Sequence, residues 1–349
     1  MIKFSACNLG PIKEIDINLS KFNLISGKNA TGKSFFVRLL YAIIATILEK
    51  ENSKQNNEEK HLEKDLAKKI RWVFQQKDMS AIVNKITRDD LCTQITINNK
   101  TLLTFSVSRS AKRKIVLKQI NNIKEIPYRN CLFIFLPSVL DIELALANYR
   151  EYYKNNLGVS DIFWDALQAI RTVGIADEIE LESVSKKIEK TIGGKFLYKA
   201  KQGVVFKEKE KEYDVKITAS GIKIFGILQL LIDRNLLTKD SLLVIEEPEC
   251  NLHPAYIFKF VEILVELTKQ GVYVIAVTHS GEIIRYIEYL VKTKKLLSSD
   301  ICFTLFKKEN RLAFVKTGND LTILTEMLEE LTEEYFNLVF FKEAKELEH

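Results

Sequence analysis

Long apolar runs are missing from this sequence of 349 residues. A helix that crosses a bilayer needs about 20 consecutive apolar residues, whereas the best stretch here, Cys131 to Leu140, contains Pro137 and runs into Asp141. No membrane span is expected. Nor does Met1-Ile2-Lys3-Phe4 open a signal peptide, because an alternating strand pattern starts at once, and a cytoplasmic location is the expectation. Cysteine is scarce: Cys7, Cys92, Cys131, Cys250 and Cys302 are odd in number and far apart. That spacing offers neither paired metal ligands nor a disulfide framework, so buried free thiols are expected. There is no internal repeat and no long heptad array. Glycine is also sparse, with 13 in the whole chain, which gives weight to a motif that spends two of them in one short loop.

What is present describes an ordinary globular protein: 46% hydrophobic and 28% charged residues supply a substantial core. The length suits one core carrying an inserted helical part. The net charge of +6, from 52 basic and 46 acidic residues, is a mild excess that would help a nucleic-acid partner without requiring one. Leu347-Glu348-His349 has the look of a cloned affinity tag and is set aside.

Residues 1 to 26 read as short strands, with a turn at Gly10-Pro11 and alternation through Ile12, Ile15, Ile17 and Leu19. From Lys33 the period becomes helical, with Phe36, Leu39, Leu40, Ile43, Ile44 and Ile47 on one face. Glu49 to Lys69 is rich in Lys, Glu, Asn and Gln and reads as an exposed helix or arm. Strands return at Thr93 to Ile97, Leu102 to Val107 and Lys114 to Leu117, and Cys131 to Leu136 is a buried strand. Leu144 to Thr191 predicts a lateral helical lobe, with Trp164, Leu167 and Ile170 on one face. A hairpin follows at Phe196 to Lys207. Then come a helix at Ile222 to Ile232, a strand at Leu242 to Ile245, a helix at Pro254 to Thr268, a strand at Val272 to Val277 and a helix after Ser280. Strands alternating with helices predict a mostly parallel sheet.

Gly27-Lys28-Asn29-Ala30-Thr31-Gly32-Lys33-Ser34 matches G-x-x-x-x-G-K-[ST] and sits between a strand and a helix. A chance match in a chain this poor in glycine has a probability on the order of 1%. The glycines let successive N–H groups turn inward on phosphate oxygens, and the helix N-terminus adds partial positive charge. Lys33 would neutralise the β and γ phosphates, and Ser34 would offer its hydroxyl to Mg²⁺. Leu242-Leu243-Val244-Ile245-Glu246-Glu247 is an apolar strand ending in two carboxylates. Coupled to the loop, Glu246 would hold the metal and Glu247 would orient or deprotonate the attacking water. Thr278-His279-Ser280 follows the next strand, where His279 can sense the γ phosphate or its water. His253, in Asn251-Leu252-His253-Pro254, suits a sensing role and a helix cap equally. Ser220-Gly221 opens an apolar helix and reads either as a cap or as a second phosphate-binding N-terminus.

This order of motifs, with Ser220-Gly221-Ile222-Lys223, Glu246-Glu247-Pro248-Glu249 and Leu252-His253-Pro254, resembles the ATPase domain of the OLD, RecF and SMC-like branch of ABC ATPases. The resemblance covers about residues 1–48 and 195–290. It implies an α/β ABC-ATPase head: a mostly parallel sheet with flanking helices, an N-terminal antiparallel β part and a helical lobe. The expected division is a nucleotide-binding core at 1–48 and 195–346, with an inserted part at 49–194. Gly27, Lys28, Asn29, Ala30, Thr31, Gly32, Lys33, Ser34 and Phe35 would hold ATP, Ser34 and Glu246 would hold Mg²⁺, and Lys33, Glu247 and His279 would carry the hydrolysis. By the same resemblance Ser220 and Gly221 would reach across a homodimer to the partner's γ phosphate, and Asn29 would touch that phosphate within its own chain. Pro137-Ser138 looks like the corresponding segment of OLD-like proteins.

Glu246 stands where many relatives have Asp, and the signature lacks the fuller glycine pair of transporters. Gln75, Gln76 and Gln94 are candidates for the glutamine that senses magnesium. The insert is too short for a long coiled coil, and too few residues follow Ser280 for a nuclease domain, so Asp300, Asp320, Glu326, Glu329 and Glu330 read as a solvated face. The expected function is an ATP-hydrolysing switch in DNA repair or anti-phage defence. Arg109 to Lys118 is the basic stretch that would meet DNA. The alternative is a regulatory ATPase subunit of a toxin or effector system, with an effector or nuclease protein as partner and no DNA contact.

Overall fold

The computed structural model describes residues 2–52, 58–135, 137–142, 145–146, 158–172, 179–199 and 202–336. Leu347-Glu348-His349 and part of the expected helical lobe lie outside them. The chain opens with β1 (Ile2–Leu9), β2 (Ile12–Leu19) and β3 (Phe22–Gly27), then α1 (Lys33–Asn52) and α2 (Glu58–Phe74). Next come β4 (Leu91–Ile97), β5 (Lys100–Val107), β6 (Val116–Ile120) and β7 (Asn130–Ile134). α3 (Asp161–Arg171) and α4 (Glu182–Ile192) lead into β8 (Lys195–Lys199), β9 (Gly203–Glu208) and β10 (Lys211–Asp214), a separate antiparallel sheet. α5 (Ser220–Asp233), β11 (Ser241–Glu246), α6 (Pro254–Lys269), β12 (Tyr273–Val277) and α7 (Gly281–Lys292) alternate as expected. β13 (Ile301–Glu309), β14 (Leu312–Gly318) and α8 (Leu321–Phe336) follow.

The main sheet has 11 strands in the order β6-β5-β4-β1-β2-β14-β13-β3-β12-β11-β7. From β13 to β7 every pairing is parallel, and from β6 to β2 every pairing is antiparallel. The parallel strands read as unbroken apolar runs because both faces are covered. Along β11, Leu242 and Val244 pack into the core that contains Phe36, Leu40 and Ile43 of α1. Leu243 and Ile245 face the opposite core, built on Phe225 of α5 and Phe260 of α6. Burial of each such side chain is worth about 1.5–3 kcal/mol, so the strand is clamped between two helical layers.

Two expectations change. Glu49 to Lys69 is not a solvated arm, because α2 buries Leu62, Leu66, Ala67, Ile70 and Val73. Those positions recur at helical spacing beneath a charged surface, and the high charge density hid the stripe. The thiols are also not all buried: Cys302 is, while Cys7, Cys92, Cys131 and Cys250 are half-buried. Within the 49–194 stretch, β4 to β7 hydrogen-bond into the main sheet itself. The C-terminal residues add β13 to its centre, parallel to β3.

Candidate functional site

Three parallel strands end side by side: β3 at Gly27, β12 at Val277 and β11 at Glu246, with Ile25 opposite Val277 and Glu246 opposite Val277. This C-terminal edge is where open α/β sheets receive ligands. Between β3 and α1 the backbone curls as the motif demands. Gly27 has a φ of +145°, and a Cβ there would lie 2.2 Å from the Phe306 carbonyl oxygen. Gly32 has a φ of +101°, and a Cβ would lie 2.6 Å from Ile12. Only glycine fits either position. The Thr31 hydroxyl donates to the Lys28 carbonyl at 2.9 Å, bracing the bend from inside.

Lys33 lies in this loop at 5% exposure, its ammonium donating to the carbonyls of Gly27 at 2.8 Å and Lys28 at 2.7 Å. Burial pushes its pKa down to about 8, while the negative fields of Glu247 and Glu246 oppose the drop. A group so placed gains from any further anion that arrives. Phe35, next after the loop, packs its ring against Phe74 at 5.4 Å, so only its backbone can serve the loop. Lys28 extends outward, 2.7 Å from the Glu333 carboxylate on α8.

The two acids at the end of β11 diverge. Glu246 is 2% exposed and turned toward α1, where Arg38 Nη2 stands 3.6 Å from Oε2. Burial raises its pKa above the usual carboxylate range, and Oε2 has no hydrogen-bond partner. Glu247 instead adopts a φ of +49°, with its N–H bonded to the Val277 carbonyl at 2.8 Å. A left-handed conformation in a non-glycine residue costs about 1–2 kcal/mol; here it swings the side chain out of the strand line, half-exposed, to 3.9 Å from His279 Nε2. The Cys250 thiol donates to its other oxygen at 3.4 Å.

His279 is held from behind. Glu249 accepts the His279 N–H at 2.7 Å and the Thr278 hydroxyl at 2.8 Å through one oxygen. Burial lowers the His279 pKa and the Lys33 charge lowers it further, against the opposing field of Glu247. Glu247, Glu249, Cys250 and His279 border a cleft of about 700 Å³ together with Lys28, Asn29, Lys308 and Glu330, whereas Lys33, Ser34 and Glu246 are not among its lining residues. Ligand clefts run to about 300–1,000 Å³, so a nucleotide's phosphates fit. A separate cavity of about 400 Å³, lined by Trp72, Trp164 and Lys69, shares no residue with the loop.

The donor set suits magnesium, a hard cation that takes few protein oxygens and completes its shell with phosphate and water. Ser34 and Glu246 would hold it, and the unpartnered Oε2 is a buried acceptor lacking a donor. Among the described residues no group of three or more His, Cys, Asp or Glu could hold a metal. Because burial disfavours charge on Glu246 more than Arg38 offsets it, Glu246→Gln is expected to raise the stability of the nucleotide-free protein. Thermal unfolding without nucleotide checks the sign, and magnesium-dependent nucleotide binding should be lost in the same variant.

Other sequence candidates separate from the cleft. Ser220 and Gly221 do not line it; a Cβ on Gly221 would meet the Asn251 carbonyl oxygen at 2.8 Å. His253 caps α6, its Nδ1 accepting the Ala255 N–H at 3.2 Å, so the capping alternative describes it. Gln75 bonds the Trp72 and Val159 carbonyls, Gln76 the Phe74 carbonyl and Gln94 the Thr101 hydroxyl, and none borders the cleft. The short helical turn at Pro137–Leu140 leads to Asp141, which pairs with buried Lys223 of α5 at 2.5 Å. Glu330 borders the cleft rather than a purely solvated face, because β13 beside β3 carries α8 back over the loop. Arg38, Glu249 and Lys308 went unread in the sequence. Arg38 had a signal, one helical turn beyond Ser34 on the same face, and Glu249 stood inside the quoted Glu-Glu-Pro-Glu.

Residues 209–285 match the model of the AAA domain described as "putative AbiEii toxin, Type IV TA system". No curated protein matches the chain. Among solved structures it is similar to an Smc head bound to the C-terminal winged-helix domain of ScpA, with 12% identity over 90% of this chain and 96% of that one and a TM-score of 0.53. The Smc head of Pyrococcus yayanosii, with a coiled coil and joint, gives 9% identity, coverage of 95% and 99%, and a TM-score of 0.52. That of Pyrococcus furiosus, bound to the C-terminal domain of ScpA, gives 11%, coverage of 95% and 100%, and 0.51. At these identities the likeness is one of fold. The chain has the fold of an Smc head domain.

Proposed function

We propose that the protein binds and hydrolyses ATP with magnesium and closes as a homodimer around two nucleotides, acting as a switch in DNA repair or anti-phage defence. One observation carries the reading: Lys33, Glu246, Glu247 and His279 converge on a single sheet edge, near enough that the Lys33 charge acts on His279 and both carboxylates act on Lys33. In hydrolysis the loop amides and Lys33 hold the β and γ phosphates. Glu247 accepts a proton from the water that attacks the γ phosphorus, and the bond to the β–γ bridging oxygen breaks. His279 hydrogen-bonds the γ phosphate or that water. Bound magnesium would neutralise charge developing on the phosphate oxygens. Ser220 and Gly221, outside their own chain's cleft, are free to complete a second copy's site.

The DNA arm rests on Arg109 to Lys118. Arg109, Lys112, Arg113, Lys114 and Lys118 are exposed at the sheet's β6 edge. Charge also blunts an edge strand against aggregation, so a salt series separates the roles. Filter binding of a short duplex should show affinity that falls steeply with salt, about one logarithmic unit per unit of log salt for each phosphate contact. Affinity that is absent or indifferent to salt would reject the DNA arm. The second reading, a regulatory subunit acting on a protein effector, is favoured by the family description of residues 209–285. Co-purification of an effector together with that negative result would establish it.

A further inference from the structure

Cys7 on β1 and Cys92 on β4 stand directly opposite one another, in a register that also pairs Ala6 with Thr93 and Ser5 with Gln94. Opposed residues of an antiparallel pair have Cα atoms about 4.5 or 5.5 Å apart, according to their hydrogen-bonding phase. Both separations fall within the roughly 4.4–6.8 Å that a disulfide spans. Paired residues also project to the same face of the sheet, so the two thiols face one another across β1 and β4. Both are half-buried, in a surface groove of about 210 Å³ beside Ser5, Asp16 and Gln94. A small thiol reagent can enter from solvent.

The pair is asymmetric. Lys118 of β6 brings its ammonium to 4.0 Å from the Cys92 sulfur, where it can hydrogen-bond it. Burial raises the Cys7 pKa, and Glu14, opposite it on its other side in β2, adds to the rise. Cys92 is thus the attacking thiol and Cys7 the resolving one. The remaining cysteines lack this arrangement: Cys302 is buried, Cys250 donates to Glu247, and burial pushes the Cys131 thiol far up.

We propose that Cys7 and Cys92 form a redox-active dithiol that a low-molecular-weight disulfide oxidises to a bond joining β1 and β4. The Cys92 thiolate attacks one sulfur of the reagent, forming a mixed disulfide and expelling one thiolate, which takes up a proton. The Cys7 thiol then loses its proton and attacks the Cys92 sulfur, expelling the second thiol. The protein loses two hydrogens and the reagent is reduced to two thiols. The product fastens β4 to the strand that leads into the Gly10-Pro11 turn, against which Gly32 of the phosphate loop rests.

The test treats the folded full chain with glutathione disulfide, quenches with acid and alkylates. Thiol titration in denaturant should fall from five per chain to three, with one linked peptide joining Cys7 to Cys92, and dithiothreitol should restore all five. Cys7→Ser should stop at glutathione held on Cys92. Glutathione retained on both cysteines of the unsubstituted chain, a linkage between any other pair, or an unchanged count of five would each overturn the proposal.

Discussion

Glu247→Gln slows ATP turnover by about 10²–10⁴-fold while ATP affinity stays within a few-fold of the unsubstituted protein. The amide preserves the size, the turn and the capacity to accept from Cys250, but it cannot take a proton. General-base contributions are of that magnitude. Among the described residues Glu247 makes no hydrogen bond or ion pair to the loop: its side chain meets His279 and Cys250, its backbone is tied to Val277, and only its field reaches Lys33. The ground-state grip on the phosphates should therefore survive. Steady-state hydrolysis and equilibrium ATP binding on the same preparation check the two halves. A variant that hydrolyses normally would remove Glu247 from the chemistry, whereas one that loses binding and turnover together would assign it to the grip.

Lys33→Ala has the opposite profile: ATP affinity drops by about 10²-fold or more. Two charge-assisted hydrogen bonds to phosphate oxygens, each worth about 1.5–3 kcal/mol, vanish together. The low exposure of Lys33 means that water screens little of its field. The substitution also strips the Gly27 and Lys28 carbonyls of their donor, at a cost of about 1–3 kcal/mol if water does not replace it. Thermal unfolding and Lys33→Met, which keeps the stem and loses the charge, separate a collapsed loop from a missing cation. Calorimetric ATP binding unchanged in both variants would contradict the assignment of Lys33.

The loop between β3 and α1 and the acids ending β11 could be located from the sequence because their signals are local: two glycines at fixed spacing and an apolar strand ending in Glu-Glu. The parallel sheet followed from alternation, since β3, β11 and β12 are buried on both faces and read as pure apolar runs. What escaped were relations between distant residues. Nothing near Glu330 announces that β13 lies beside β3 and carries α8 back to the loop. The divergent orientations of Glu246 and Glu247 depend on one positive φ at Glu247, a backbone choice that composition does not encode. The buried stripe of α2 was present in the period but masked by charge, and the facing of Cys7 and Cys92 needed the β1–β4 register.

In the proposed cycle Mg-ATP held by this loop closes two copies face to face, with Ser220 and Gly221 of each completing the other's site. Size-exclusion chromatography with light scattering of Glu247→Gln, with and without ATP and Mg²⁺, tests it directly. The expected result is the mass of two chains with both present and of one chain when either is omitted. The mass of one chain under every condition, with ATP binding intact, would contradict it.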